Sequence, residues 1–153
     1  MKQIGIFFLF TMIIFSACKK NNSPAPPADA SLVWYYTSDF VPPTTYAYMI
    51  TNNRLFIDTM TGYATNFSFT YPVSDSAKYR LALPLLNNFP QYLANGAGGY
   101  VNDTLFPVGM GVLHLEYTRN GHTVTWNIPP DTLYVPTQIR AYIQQVNTVV
   151  SQL

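Results

Sequence analysis

The chain has 153 residues, of which 48% are apolar, 16% aromatic and only 10% charged, so it can bury one hydrophobic core and is not disordered throughout. Its formal net charge of +1 excludes the strongly basic field with which proteins bind nucleic acid or anionic surfaces. The single cysteine, Cys18, excludes an intramolecular disulfide, and with only two histidines beside it a Cys/His zinc site is not expected.

The first 17 residues have the pattern of a secretory signal peptide. Lys2 supplies a positive charge, and an apolar run from residue 4 to residue 15 follows it. This run is shorter than the ~20 residues that a membrane-spanning helix needs. The segment Phe15-Ser16-Ala17-Cys18 resembles the lipobox of bacterial lipoproteins, in which cleavage precedes a cysteine that is then acylated. An ordinary secretory signal with an incidental cysteine is the alternative.

The lipobox resemblance implies a lipid-anchored protein of the bacterial cell envelope. Residues 1–17 would be removed, and Cys18 would carry palmitate-type acyl chains that hold the protein on a membrane, the outer membrane being our expectation. Residues 18–30 contain three prolines and no apolar periodicity, which is typical of a flexible to semi-extended tether. The domain is then expected at residues 31–153.

The first part of the domain is predicted to form strands. Aromatic and β-branched residues over 32–37 predict a strand that ends before Pro42 and Pro43. Residues 46–50 and 55–57 flank a polar turn and predict a hairpin. Phenylalanines alternate with polar residues over 65–71, which predicts a further strand.

A helix and a loop are predicted next. Asp75 can cap a helix with an apolar stripe that reaches Phe89, although Pro84 should kink or split it. Residues 93–110 include four glycines, so we expect a loop there.

The C-terminal third is predicted to be a hairpin followed by a helix. Asn120-Gly121 lies between two alternating apolar runs, and this dipeptide is a strong signal for a tight hairpin. Pro136 opens a helix whose apolar residues recur every three or four positions. The fold class is therefore α+β, with an antiparallel sheet of about four to five strands packed on one face by two helices.

Three segments carry a resemblance to a known family. Trp34-Tyr35-Tyr36, Asn88-Phe89-Pro90 and residues 117–126, followed by a helix that opens at Pro136, are similar to the emfourin-like family. Its members are small proteins of strands, helix, hairpin and C-terminal helix, and its namesake inhibits a thermolysin-like metalloprotease. The resemblance implies this fold and a protease-inhibitor-like module, and it transfers no inhibitory residue.

The residues that could carry chemistry are few. His114 and Glu116 share one face of a strand and His122 begins the next strand, so a small polar cluster is conceivable, although exposed cross-strand residues are the simpler interpretation. The sequence has no nucleophile elbow, phosphate loop or calcium loop. We therefore expect no enzyme activity, no cofactor and no metal.

The leading functional hypothesis is a non-enzymatic domain that binds another protein, such as an envelope or secreted protease. Phe40, Val41, Pro42 and Pro43 form the candidate docking loop, because prolines lower the entropy cost of binding and Phe40 can act as an anchor. Trp34 is a further candidate, as part of an aromatic surface. A plain turn and a buried aromatic core are the respective alternatives. The competing function is a carbohydrate-binding or accessory lipoprotein of an outer-membrane uptake system.

Four copies of the pattern Asp-(Ser/Thr)-apolar are candidate modification sites. They are centred on Thr59, Ser76, Thr104 and Thr132, and the pattern resembles a short O-glycosylation signal of bacterial envelope proteins. Aspartates in such pairs also bond the backbone at turns and helix starts, which is the alternative.

Overall fold

The computed structural model describes residues 29–37, 44–61, 66–101 and 111–153. The signal peptide, Cys18 and the candidate loop from Phe40 to Pro43 lie outside the described residues. The helices and strands are β1 (Ser31–Thr37), β2 (Thr44–Thr51), β3 (Leu55–Thr61), α1 (Ser76–Asn87), α2 (Gln91–Ala94), β4 (Gly99–Tyr100), β5 (Val112–Arg119), β6 (His122–Ile128) and α3 (Thr137–Val150).

The six strands form one sheet in the order β3-β2-β1-β5-β6-β4. Neighbouring strands are antiparallel except β4, which pairs with β6 in parallel. The predicted α+β class is confirmed. The sheet has more strands than predicted, and the short helix α2 adds to the two helices that we expected. No helix among these described residues is long and apolar enough to cross a membrane.

One face of the sheet, which we call the inner face, carries the hydrophobic core. Leu32 and Trp34 of β1 are completely buried, because strand residues two apart point to the same side. The long helices α1 and α3 pack their apolar sides on this face. The largest fully buried side chains are Trp34, Leu32, Ile50, Leu55, Leu85, Leu93, Leu113, Leu115, Ile128, Ile139, Ile143 and Val135.

The hairpin of β5 and β6 follows the prediction closely. Asn120 and Gly121 both have positive φ angles, of 52° and 73°. Two consecutive residues with positive φ make a type I′ turn, whose twist matches that of the two strands. The pairing of Arg119 with His122 closes the turn.

Helix α1 is continuous through its proline. The Asp75 carboxylate accepts a hydrogen bond from the Ala77 N–H at 2.7 Å and caps the helix start. Pro84 lies inside α1, which runs on to Asn87, so of the two predicted effects, a kink or a split, the split does not occur. Burial of Leu85 and Leu86 directly after the proline gives a packing energy that compensates for the lost backbone hydrogen bond.

Two segments differ from the prediction. Residues 66–70 form no strand, although Phe67 and Phe69 are half-buried between exposed neighbours. After them, Pro72 forms a single bridge with Phe56, so this part of the chain lies along β3. The expected loop at 93–110 contains the end of α2 and all of β4 within its described part.

Candidate functional site

The outer face of the sheet, opposite α1 and α3, collects polar and aromatic side chains in register. Asn127, His114, Tyr35, Ala47 and Asp58 pair in turn across β6, β5, β1, β2 and β3. Paired residues of antiparallel strands share a face, so these side chains form one row across five strands. The sequence contains all five, but only the strand order brings them together.

The centre of this row is a stack of two rings. The Tyr35 ring lies on the His114 ring, with centroids 4.5 Å apart and planes 11° apart. Phe67 tilts against the other side of Tyr35, with centroids 4.9 Å apart. The Thr37 Oγ1 atom lies 2.8 Å from His114 Nε2 and forms a hydrogen bond with it. The imidazole is therefore held by both a ring contact and a hydrogen bond.

Burial sets the protonation of these groups. Desolvation lowers the pKa of His114 below its usual 6.5, and a hydrogen bond with Asn127 opposes this in part. Burial therefore favours the neutral form of His114. Desolvation also raises the pKa of Tyr35, with the negative charge of Glu116 as a smaller cause. Glu116 itself is exposed.

A second row on the outer face is apolar. Glu116 pairs with Val33, Val33 with Met49, and Met49 with Phe56. Val33, Met49 and Phe56 are half-buried, whereas the inner-face residues beside them in sequence are buried except Ile57, which is half-buried. The outer face thus offers water-accessible apolar area next to one exposed carboxylate.

The conceivable cluster of His114, Glu116 and His122 is not formed. His122 pairs with Arg119 at the hairpin turn. The alternation of residues along β6 places His122 on the same side of the sheet as the inner face. His114 pairs with Asn127 near the other end of the strands. The two histidines therefore lie on opposite faces of the hairpin.

Trp34 is not part of an exposed surface. Its side chain is 0% exposed and stacks on Tyr48, with centroids 5.4 Å apart. The expectation that Trp34 contacts a partner is therefore wrong, and the alternative of a core residue is the observed one. Tyr35, its neighbour on the outer face, is half-buried and packs on His114 and Phe67.

The candidate glycosylation sites have different surroundings. Thr59 and Ser76 are exposed, Thr132 is half-buried, and Thr104 lies outside the described residues. Asp75 bonds the Ala77 N–H at 2.7 Å, and Asp131 bonds the Leu133 N–H at 2.9 Å. These two aspartates thus cap a helix start, as the structural alternative expected, and glycosylation at the four positions stays a prediction.

Among the described residues, no group of three or more His, Cys, Asp or Glu side chains could hold a metal ion. Comparisons of the chain with protein-family models, curated proteins and solved structures find no match. The lipobox and emfourin-like resemblances therefore stay predictions, and the argument for function rests on the geometry of the outer face.

Proposed function

We propose that the chain is a lipid-anchored protein of the bacterial cell envelope whose domain binds another protein, without catalysis, through the outer face of its sheet. Cys18 is the lipidated residue in this proposal, and the outer membrane is the site of the anchor. The observation that carries the binding function is the half-buried apolar row of Val33, Met49 and Phe56. Accessible apolar side chains grouped on one face are typical of surfaces that a partner covers.

The charges of the outer face favour a partner with a cationic group. Glu116 is exposed there, whereas the Asp58 carboxylate already accepts hydrogen bonds from the N–H groups of Thr59 and Ser68. The described lysine and arginines lie on the helices and the hairpin turns. A partner with apolar side chains and a lysine or arginine close to Glu116 would complement this surface.

Protease inhibition is the narrower form of the proposal. It would use the segment Phe40, Val41, Pro42 and Pro43, which follows β1 in the sequence. Carbohydrate binding is the alternative, and an aromatic platform for it would not include Trp34, which is buried. It is kept as an outcome of the test.

A pair of charge-matched variants tests the proposal. Met49→Lys with Glu116→Gln changes the outer face by +2, and Gln138→Lys with Gln144→Lys makes the same change on exposed positions of α3. Partners are cross-linked to the lipidated protein in detergent-solubilised envelope, identified by mass spectrometry and then titrated in pure form. We expect at least tenfold weaker binding for the outer-face variant and unchanged binding for the α3 variant.

Two outcomes would contradict this function. If both variants bind the same partner as tightly as the unaltered protein, the outer face is not the interface. If no protein is captured and a glycan array gives specific binding that the outer-face variant loses, the carbohydrate alternative replaces the protein partner.

A further inference from the structure

The two hairpin turns beside the point where the chain enters the sheet carry exposed arginines. The described chain begins at Asp29 and enters the sheet through Ser31 of β1. Ser31 pairs with Thr51 on one side and with Thr118 on the other. Thr51 and Thr118 each directly precede a hairpin turn, so the chain from Cys18 joins the domain between the two turns.

Each turn carries an exposed arginine. Arg54 closes the β2–β3 turn and Arg119 opens the β5–β6 turn. With strands spaced about 4.8 Å apart, the centres of the two turns lie about 14 Å apart, one on each side of the entry point. Neither guanidinium has a partner among the described residues. The exposed His122 follows the second turn.

The two turns and the entry point of the chain carry a small positive charge. Asp29 lies here, and its carboxylate faces the Asn120 amide at 3.2 and 3.3 Å in the orientation that the surroundings of the amide favour. For these residues, two arginines against one aspartate leave +1.

We propose that the two turns, Asn52–Arg54 and Arg119–His122, rest on the anionic headgroups of the membrane that holds the Cys18 lipid. This inference depends on the lipid anchor of the proposed function. The chain from Cys18 to Asp29 spans at most about 38 Å, so the turns stay close to the membrane surface, where anionic headgroups attract lysine and arginine side chains. The strands then stand upright, and the outer face is left accessible to a partner from the side.

The test holds the domain on vesicles independently of the cell. Cys18 is the only cysteine, so the chain from Cys18 onward can be coupled to maleimide-bearing lipids in phosphatidylcholine vesicles with or without 30% phosphatidylglycerol. The chain from Cys18 onward keeps every described residue of the domain, whose described core begins at Ala30. Hydrogen exchange is then measured for the backbone amides of the two turns.

We expect slower exchange at both turns on the anionic vesicles only. Arg54→Gln with Arg119→Gln should lower the ratio of docked to undocked protein about 25-fold, from about fivefold for each arginine, while Arg54→Lys with Arg119→Lys should keep the protection. Salt at 1 M should abolish it. Unchanged protection of β1 and β5 shows that each variant is folded.

Equal exchange on both kinds of vesicle, or protection that survives in the glutamine variant, would overturn the inference. The anchor is tested separately, because Cys18→Ser should release the protein from membranes in cells. If the Cys18→Ser protein stays on the membranes, the lipid anchor is refuted, whereas the vesicle result remains valid.

Discussion

Tyr142→Phe should destabilise the domain, because the Tyr142 hydroxyl satisfies a buried carbonyl at the end of α1. Its Oη atom donates to the Leu85 oxygen at 3.0 Å. The last carbonyls of a helix lack partners within the helix, and the Phe89 N–H bonds the oxygen of Leu86. The substitution keeps the ring, which packs edge-on against Phe89 with centroids 5.6 Å apart, and removes one buried hydrogen bond.

The expected cost is about 1 to 3 kcal/mol, the range for a buried acceptor left without its donor. At roughly 4 °C per kcal/mol for a domain of this size, Tm should fall by about 4 to 12 °C. Urea unfolding followed by tryptophan fluorescence measures the free energy, and calorimetry measures Tm.

Tyr79→Phe is the matched control for this experiment. The Tyr79 hydroxyl donates to the Asn52 carbonyl at 2.5 Å, and this hydrogen bond is only partly buried. Its loss should therefore cost less than about 1 kcal/mol. Equal losses for the two variants, or a loss below about 0.5 kcal/mol for Tyr142→Phe, would refute the argument that Leu85 depends on this hydroxyl.

Three other predictions concern packing and pH. Gly96→Ala would place a Cβ atom 2.4 Å from the Trp126 ring and should cost about 1 to 3 kcal/mol in urea unfolding; a neutral effect would show that the ring moves freely. Burial raises the pKa of Tyr36 to about 12. The contribution of Tyr36 to the free energy of unfolding is therefore complete below pH 10 and is lost as the pH rises toward 12. Tyr36→Phe should reduce this loss by up to about 1.4 kcal/mol per pH unit. Because burial lowers the pKa of His114, stability should fall as pH drops below 6.5, and His114→Asn should remove that part of the pH profile; an unchanged profile would contradict a desolvated imidazole.

Local patterns predicted the elements that depend on neighbouring residues. The Asn120-Gly121 turn follows from two residues that tolerate positive φ, and α3 follows from the spacing of its apolar residues. The alternation at Phe67 and Phe69 also describes burial correctly. It does not produce a strand, because alternating burial requires only one packed side, whereas a strand also needs a hydrogen-bonded neighbour.

The candidate site depends on contacts that no local pattern encodes. Tyr35 and His114 meet because β1 lies beside β5, with many residues between them in sequence. The sequence also could not predict on which face of the sheet Trp34 lies, since consecutive aromatic residues fit either face of a strand. The alternating phenylalanines were the available signal in the sequence, because Phe67 packs on Tyr35 of the outer face.

Site-specific photocross-linking in cells tests the central claim most directly. A photoreactive amino acid replaces Glu116 on the outer face or Gln144 on α3, both of which are exposed. Binding through the outer face predicts a discrete protein adduct from position 116 and none of the same mass from position 144. Adducts of equal yield at both positions, or an adduct at position 144 alone, would contradict the claim.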